Sequence, residues 1–392
     1  MEKINISKQL EVIKRGAVEI ISEDELRFKL EESIRLKRPL KVKAGFDPTA
    51  PDIHLGHTVL LNKLKAFQEL GHQVIFLIGD FTARIGDPSG QSKIRKALTA
   101  EEIKNNASTY KKQVFKILDA GKTRIMFNSK WFDKMTGLEF GKLLTHYTVT
   151  RLLERDDFAL RIKEQKPLFM SEFIYPIFQG YDSVVLEADI EIGGTDQKFN
   201  LIVGRELQKD FGQAPQVIIT LPLLEGTDGE QKMSKTYANY IGINEAPGEM
   251  FGKIMSIPDK LMMKYYQLLT AENLEPIKSM HPKEAKSRLA RIIVERYYSQ
   301  KQAACAESEF ERVFSRRELP QDIAAYKLSS GGNNIIEILL EGGLVRTKNE
   351  ARRLIQQKAV SLNSQCIDKE DFSINQEGVL KVGKRRFLKL IK

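Results

Sequence analysis

Residues 40–71 read in order as strand, loop and helix, and this order constrains the fold more than any other stretch of the chain. Leu40 to Ala44 alternate apolar and basic residues, the pattern of a short strand with one buried face. Asp47, Pro48 and Pro51 break regular structure. After Gly56, the apolar residues Leu60, Leu64 and Phe67 have the spacing of one helix face, and Gly71 follows as a C-terminal cap. His54-Leu55-Gly56-His57 therefore lies at a helix entrance, where unpaired N–H groups and the positive dipole end suit phosphate. Strand-like and helix-like runs keep alternating to about residue 235, among them the strand His72–Ile78 and a helix opened by the capping box Thr99 and Glu102. Such alternation predicts an α/β fold with a parallel sheet, whose ligands sit beyond the carboxyl ends of the strands.

Three further segments carry chemistry. Leu221 to Leu224 is apolar, Glu225-Gly226-Thr227-Asp228-Gly229 is turn-prone, and Lys232-Met233-Ser234-Lys235-Thr236 follows. Two ammonium groups on such a loop can neutralise charge that builds on a leaving pyrophosphate. Tyr175, Gln179 and Asp182 share one face if their segment is helical, with Pro176 near the helix start. Val184 to Ile192 reads as a strand, and Gly193-Gly194 at its end lets backbone approach a flat ligand. Asp196 can accept from ribose hydroxyls. Each segment alone also has a plain reading: a histidine pair at a helix start, a solvated lysine loop, an amphipathic face, a glycine turn. Together they point to one task, holding the triphosphate of ATP while its α-phosphate is attacked.

Composition narrows the setting. A chain of 392 residues suggests two or three domains, and 42% hydrophobic residues suffice for a real core. The formal net charge of +10 favours a polyanionic partner. Cys305 and Cys366 are far apart and follow no metal or redox spacing, which fits a reducing cytoplasm. Charged residues interrupt any apolar run at the start, and no stretch is long enough to span a bilayer. No His, Cys, Asp and Glu cluster has the spacing of a metal cage, so Mg²⁺ is expected only with ATP, through phosphates and water. From about residue 246 the character turns helical, with Pro247 opening the run and helix-like stretches at Pro258–Leu269 and Pro282–Tyr298. Ser329-Ser330-Gly331-Gly332-Asn333-Asn334 reads as a linker. Residues 333–392 hold twelve Lys or Arg against seven Asp or Glu, a net +5, and residues 346–355 read as a helix with one basic side.

The ordered motifs resemble those of class I aminoacyl-tRNA synthetases, and more closely the tyrosyl-tRNA synthetases of bacterial type. The residues that carry the resemblance are Gly45-Phe46-Asp47-Pro48-Thr49-Ala50 with His54-Leu55-Gly56-His57, Gly86-Asp87-Pro88-Ser89-Gly90, Tyr175-Pro176-Ile177-Phe178-Gln179-Gly180-Tyr181-Asp182, Gly193-Gly194-Thr195-Asp196-Gln197 and the Lys232–Thr236 loop. The resemblance covers essentially the whole chain. It implies a Rossmann-like catalytic domain over 1–245, a helical domain on the tRNA anticodon side over 246–328, and a small α+β RNA-binding domain of the ribosomal protein S-four type over 333–392. It implies that tyrosine and ATP form tyrosyl-adenylate and pyrophosphate, and that tRNA(Tyr) then takes the tyrosyl group.

By the same resemblance Asp182 binds the substrate phenol, Tyr175, Gln179 and Asp87 hold its ammonium group, and Gln197 lies near its carboxylate. Asp47, Gly56, Gly194, Asp196, Lys235 and Arg95 belong to the ATP site. Thr49, His54, His57, Lys232 and Lys235 are the catalytic set. A homodimer in the cytoplasm is the expectation. Three positions depart from the family pattern: Lys43 stands where many relatives carry a second tyrosine partner for the phenol, Gln91 replaces a lysine, so that either Lys93 compensates or that contact is missing, and Thr236 replaces a serine. The alternatives are a tryptophanyl-tRNA synthetase, another nucleotidyltransferase, or a non-enzymatic RNA-binding protein derived from a synthetase.

Overall fold

The computed structural model describes residues 5–87, 99–314, 324–328, 333–345, 347–363, 365–383 and 386–391. Gln91, Lys93 and Arg95, together with Pro88-Ser89-Gly90 and most of the expected linker, lie outside them. By contact the chain forms two compact units, Met1–Glu307 and Ser308–Lys392.

The first unit is built on a six-stranded sheet: β1 (Glu19–Ile21), β2 (Lys41–Phe46), β3 (Gln73–Ile78), β4 (Thr123–Phe127), β5 (Ile190–Gly194) and β6 (Val217–Leu221). The spatial order is β1-β6-β5-β2-β3-β4. All pairs are parallel except β1 with β6. The chain runs outward from β2 through β3 to β4, then returns to lay β5 on the other side of β2. Strand order therefore reverses between β2 and β5, the position where parallel sheets open a crevice for ligands.

Burial corrects the reading of β2. Alternation predicts one exposed face, yet Val42, Lys43 and Ala44 are each fully buried. A central parallel strand is covered on both faces, so Lys43 is carried into the interior despite its charge. The run Val184–Ile192 is likewise not one strand. Val184 to Leu186 end the helix Met170–Leu186, Glu187 closes it in the left-handed conformation at φ 48°, and β5 starts only at Ile190. A short apolar run suits a buried helix face and a buried strand equally, and periodicity cannot separate them. Pro176 also lies inside that helix rather than near its start.

Close packing holds this helix in place. A Cβ on Gly180 would sit 3.0 Å from the Gly204 nitrogen and 2.9 Å from Leu207 Cδ1. Only glycine lets the Met170–Leu186 helix approach the helix Lys198–Asp210 so closely. Helices after residue 246, Pro247–Met255, Asp259–Leu269, Pro282–Tyr297 and most of Gln300–Phe314, belong to the first unit. Asp259–Leu269 packs against Leu55–Glu69, the helix that begins beside His54.

The second unit has its own core around Ile335, Ile338, Leu339, Val360, Leu380 and Leu388. Five strands order as Gln365–Ile367, Val360–Leu362, Gly378–Val382, Arg386–Ile391 and Ala325–Lys327. Its helix Lys348–Gln356 buries Ala351 and Ile355 and exposes Lys348, Arg352 and Arg353.

His72 ties three segments of the first unit together. Its Nδ1 accepts from the Leu40 N–H at 3.4 Å, and its Nε2 meets Gln9 Oε1 at 3.2 Å. Burial lowers its pKa to about 4, against a weaker opposing pull from Asp189. The unfolded chain therefore binds this proton more readily, and His72 stabilises the fold fully above pH 6.5 and progressively less as pH falls towards 4. Its share of the loss between pH 7.5 and 5 is roughly 2 kcal/mol. His72→Asn, which keeps an acceptor near Nδ1, should flatten the acid limb of denaturant stability by that share; parallel limbs for the two proteins would refute the assignment.

Candidate active site

A cleft of about 570 Å³ opens beyond the carboxyl ends of β2 and β5. Apart from Arg95, which lies outside the described residues, every site residue expected from the sequence lines it.

The two distant motifs meet in this cleft. His54 occupies the N-cap position of the helix Leu55–Glu69 in extended backbone. The Gly56 N–H, one of the helix's unpaired donors, points at Met233 Sδ at 3.3 Å. Backbone bonds from Leu55 N–H to the Ile241 oxygen at 2.9 Å and from Ile243 N–H to the Ile53 oxygen at 3.0 Å lace the segment after the lysine loop to the histidine segment. The lysine loop itself is a hairpin, with Glu225 bridged to Lys232 and the Met233 N–H bonded to the Leu224 oxygen at 2.8 Å. Buried Asn239 braces it, accepting from the Ser234 N–H at 2.8 Å and donating to Asp228 at 2.7 Å.

Both lysines are held by carboxylates: Lys232 Nζ lies 2.9 Å from Asp196 Oδ2, and Lys235 Nζ lies 2.8 Å from Asp52 Oδ2. The imidazoles of His54 and His57 stack with centroids 3.8 Å apart. His57 Nδ1 accepts from the His54 N–H at 3.3 Å. Burial and then the Lys235 charge push His57 down to about 4, and burial, His57 and Lys235 lower His54 well below its ordinary value. Both rings are therefore neutral at physiological pH, each with one N–H to donate. The His54 Nδ1 has no hydrogen-bond partner although it is buried. Thr49 is exposed at the mouth.

The opposite end of the cleft is a pocket of cross-braced polar groups. Tyr175 donates its hydroxyl to Asp47 Oδ2 at 2.8 Å, and Thr82 donates to Asp47 Oδ1 at 2.8 Å. Burial and the nearby carboxylates raise the Tyr175 pKa, so the ring stays a neutral donor. Asn200 donates to Gln179 Oε1 at 2.9 Å and to Gln197 Oε1 at 3.1 Å, and Gln197 donates to Asp87 Oδ2 at 2.8 Å. Asp182 is 3% exposed and accepts from Trp131 Nε1 at 2.9 Å and Asn128 Nδ2 at 3.3 Å. Burial pushes its pKa up to about 7, opposed by Lys43 and by the Asn128 and Trp131 hydrogen bonds.

Several contributors escape a reading of motifs. Asn128 follows β4 directly, so its place beyond a strand end was a usable signal. Asn200, Thr82, Asp52 and Asn239 act on other site residues and carry no signal of their own. Gly193 and Gly194 also serve the protein's own packing: a Cβ on Gly194 would lie 2.7 Å from Asp196 Oδ1 and 2.9 Å from Leu223 Cδ2. Among the described residues no group of three or more His, Cys, Asp or Glu is arranged to hold a metal ion.

Comparisons with known proteins identify the family. Residues 35–315 match the family described as tRNA synthetases class I (W and Y). The chain is 53% identical over 403 residues to the tyrosine–tRNA ligase of Carboxydothermus hydrogenoformans, covering 98% of each chain. It is 51% identical over 390 residues to that of Aquifex aeolicus, again covering 98% of each. The crystal structure of tyrosyl-tRNA synthetase with L-tyrosine from Archaeoglobus fulgidus superposes with a TM-score of 0.63 at 25% identity, covering 78% of this chain and 100% of that one.

Gly79 shows how tightly the pocket is built. A Cβ there would fall 2.0 Å from Asp47 Oδ1 and 2.4 Å from Thr82 Oγ1, whereas a Cβ on Gly45 meets nothing within 4 Å. Urea unfolding should show Gly79→Ala losing about 1–3 kcal/mol and Gly45→Ala losing almost none. Equal effects would mean that Asp47 is free to move aside.

Proposed function

The chain belongs to the class I tRNA synthetases of the tryptophan and tyrosine type, and from this membership and the cleft we infer that it is a tyrosine–tRNA ligase. Tyrosine enters the pocket with its hydroxyl donating to Asp182. Its ammonium group is met by Tyr175, Gln179, Asp87 and Asp47, and its carboxylate lies near Gln197. ATP lies across the ends of β2 and β5, over Gly56 and Gly194, with its triphosphate towards Thr49, His54, His57, Lys232, Lys235 and Arg95. Mg²⁺ comes with ATP, bound by phosphate oxygens and water, and adds charge neutralisation there.

The tyrosine carboxylate attacks the α-phosphorus, the bond to the bridging oxygen breaks, and pyrophosphate leaves. No side chain forms a covalent bond. Catalysis is positioning plus charge stabilisation that grows in the transition state. The ion pairs favour this exchange. Lys232 and Lys235 trade Asp196 and Asp52 for phosphate oxygens, and Asp196 is then able to accept from the ribose. Neutral imidazoles donate without adding a fixed charge that would hold pyrophosphate back. A terminal ribose hydroxyl of tRNA(Tyr) then attacks the tyrosyl carbonyl and AMP departs.

The observation that carries this reading is a buried carboxylate acceptor, Asp182, in the same cleft as both phosphate motifs. Phenylalanine would leave that buried carboxylate without the donor that tyrosine supplies. The helices after Pro247 are assigned to the anticodon side of the tRNA, and the basic second unit to RNA phosphate. A homodimer is supported by six exposed apolar side chains between residues 138 and 170: Leu138, Val149, Leu160, Ile162, Phe169 and Met170. No helix among the described residues is long and apolar enough to cross a membrane. Both free cysteines, Cys305 and Cys366, are exposed and suit the reducing cytoplasm.

Amino-acid-dependent exchange of pyrophosphate into ATP tests the assignment. Tyrosine should support it; exchange with tryptophan and none with tyrosine would overturn it. His54→Ala should slow adenylate formation about 10²–10³-fold in single turnover, and an unchanged rate would remove His54 from the mechanism. Deletion of 333–392 should leave exchange intact and weaken tRNA charging, most strongly at low salt. Equal charging by the shortened chain would remove the RNA role of the tail.

A further inference from the structure

One charged group in the pocket has no part in the chemistry above. Lys43 is fully buried in the central strand β2, yet it lines the cleft. Its Nζ lies 3.0 Å from Glu191 Oε1 on β5, and it donates to Ser183 Oγ at 2.7 Å and to the Gln179 carbonyl oxygen at 3.2 Å. An ammonium group has three N–H donors, and these partners use all of them. Lys43 therefore has no donor left for a substrate hydroxyl. It acts, if at all, through its charge.

The surroundings are organised around that charge. Glu191 accepts on its other oxygen from Ser183 Oγ at 2.9 Å and from Gln216 Nε2 at 2.5 Å, and Gln216 also donates to the Leu201 oxygen at 3.2 Å. Ser183 and Gln216 are fully buried, and Glu191 is 1% exposed. A buried ion pair is costly to install and replaces well by apolar packing, so its presence beneath a binding pocket calls for a role. Two of the three Lys43 partners, Gln179 and Ser183, flank Asp182 on the same helix. The cation is thus fixed against the helix segment that presents the phenol acceptor.

We propose that Lys43, oriented by Glu191, is a specificity-determining positioning residue: its fixed charge keeps Asp182 an anionic acceptor, and so makes the pocket select a ring that carries a hydroxyl. This rests on the reading that Asp182 meets the tyrosine hydroxyl. The groups that face Asp182 are few. Lys43 on β2 favours its charged form, Glu191 on β5 opposes it, Asn128 and Trp131 after β4 donate to it, and Tyr175 lies on its own helix as a neutral phenol. Lys43 is the largest influence opposing burial. An anionic Asp182 gives tyrosine a charge-assisted hydrogen bond and makes phenylalanine leave a buried charge one donor short. A protonated Asp182 does neither as strongly.

The experiment is the pH profile of kcat/KM for tyrosine, and of its ratio to phenylalanine, in pyrophosphate exchange from pH 5.5 to 8.5. Three variants are compared with the natural protein: Lys43→Met with Glu191→Gln together, Glu191→Gln alone, and Asp182→Asn. The double variant keeps shape without leaving either charge buried alone, and circular dichroism and urea unfolding verify its fold. Its acid limb should move up by about one pH unit or more, through KM for tyrosine with KM for ATP unchanged, and selectivity should recover as pH rises. Glu191→Gln alone leaves the cation uncompensated, so its limb should move down. Shifts of opposite sign cannot come from loosened packing. A double-variant profile that coincides with the natural one, or a loss uniform across pH, overturns the proposal. Asp182→Asn separates the two readings: if it keeps full discrimination against phenylalanine, the placement of the phenol at Asp182 fails, whatever Lys43 does.

Discussion

The reversal of strand order between β2 and β5 is the constraint on which the rest of this structure depends. The connections leaving these adjacent parallel strands diverge, so their carboxyl ends face a crevice that no crossover covers. Everything the site uses comes off those ends or hangs over them. The loop after β2 brings Asp47, Thr49 and the histidines, and the turn after β5 brings Asp196 and Gln197. The helix Met170–Leu186, drawn onto the sheet beside the Lys198–Asp210 helix through Gly180 and Gly204, brings Tyr175, Gln179 and Asp182. The lysine hairpin after β6 closes the far side by resting Met233 on Gly56.

The lysines of the cleft are matched by carboxylates before any ligand arrives. Each lysine of the loop is matched by one carboxylate, each histidine is held neutral by burial, and Lys43 is matched by Glu191. The partly exposed lysine-loop pairs are worth little in stability, which suits the change of partners proposed for them. The Lys43–Glu191 pair differs in being fully enclosed and fully hydrogen-bonded, so it cannot change partners cheaply. One end of the cleft is therefore exchangeable and the other fixed. That division matches a site that must release pyrophosphate but must not relax its choice of side chain.

Much of this was legible in sequence because it depends on local order. Helix starts at Thr99, Pro247 and Pro282, the strand–loop–helix unit after Leu40, and the shared face of Tyr175, Gln179 and Asp182 follow from capping and periodicity, which neighbouring residues determine. Lys43 was misread because alternation in β2 describes a strand with one wet face, and nothing local says that β5 and β3 flank it. Val184–Leu186 was misread because apolar residues suit a buried helix and a buried strand alike. Asn200, Thr82 and Asp52 carried no signal, since each works by touching a residue on an element distant in sequence, Gln179, Asp47 and Lys235 respectively.

The amino-acid sequence by itself determined the class of chemistry. Two segments with donors suited to phosphate, a polar helical face and a basic tail are statements about which side chains exist and how closely they follow one another. Tertiary structure alone decided what those groups do to each other. It set the distance from Gly56 to Met233, gave each lysine its carboxylate, and buried a lysine under the pocket. The physical reason is range. Capping and periodicity act over a few residues of chain, whereas desolvation and Coulomb energy depend on what surrounds a group in space, and that is fixed only when the strands have taken their order.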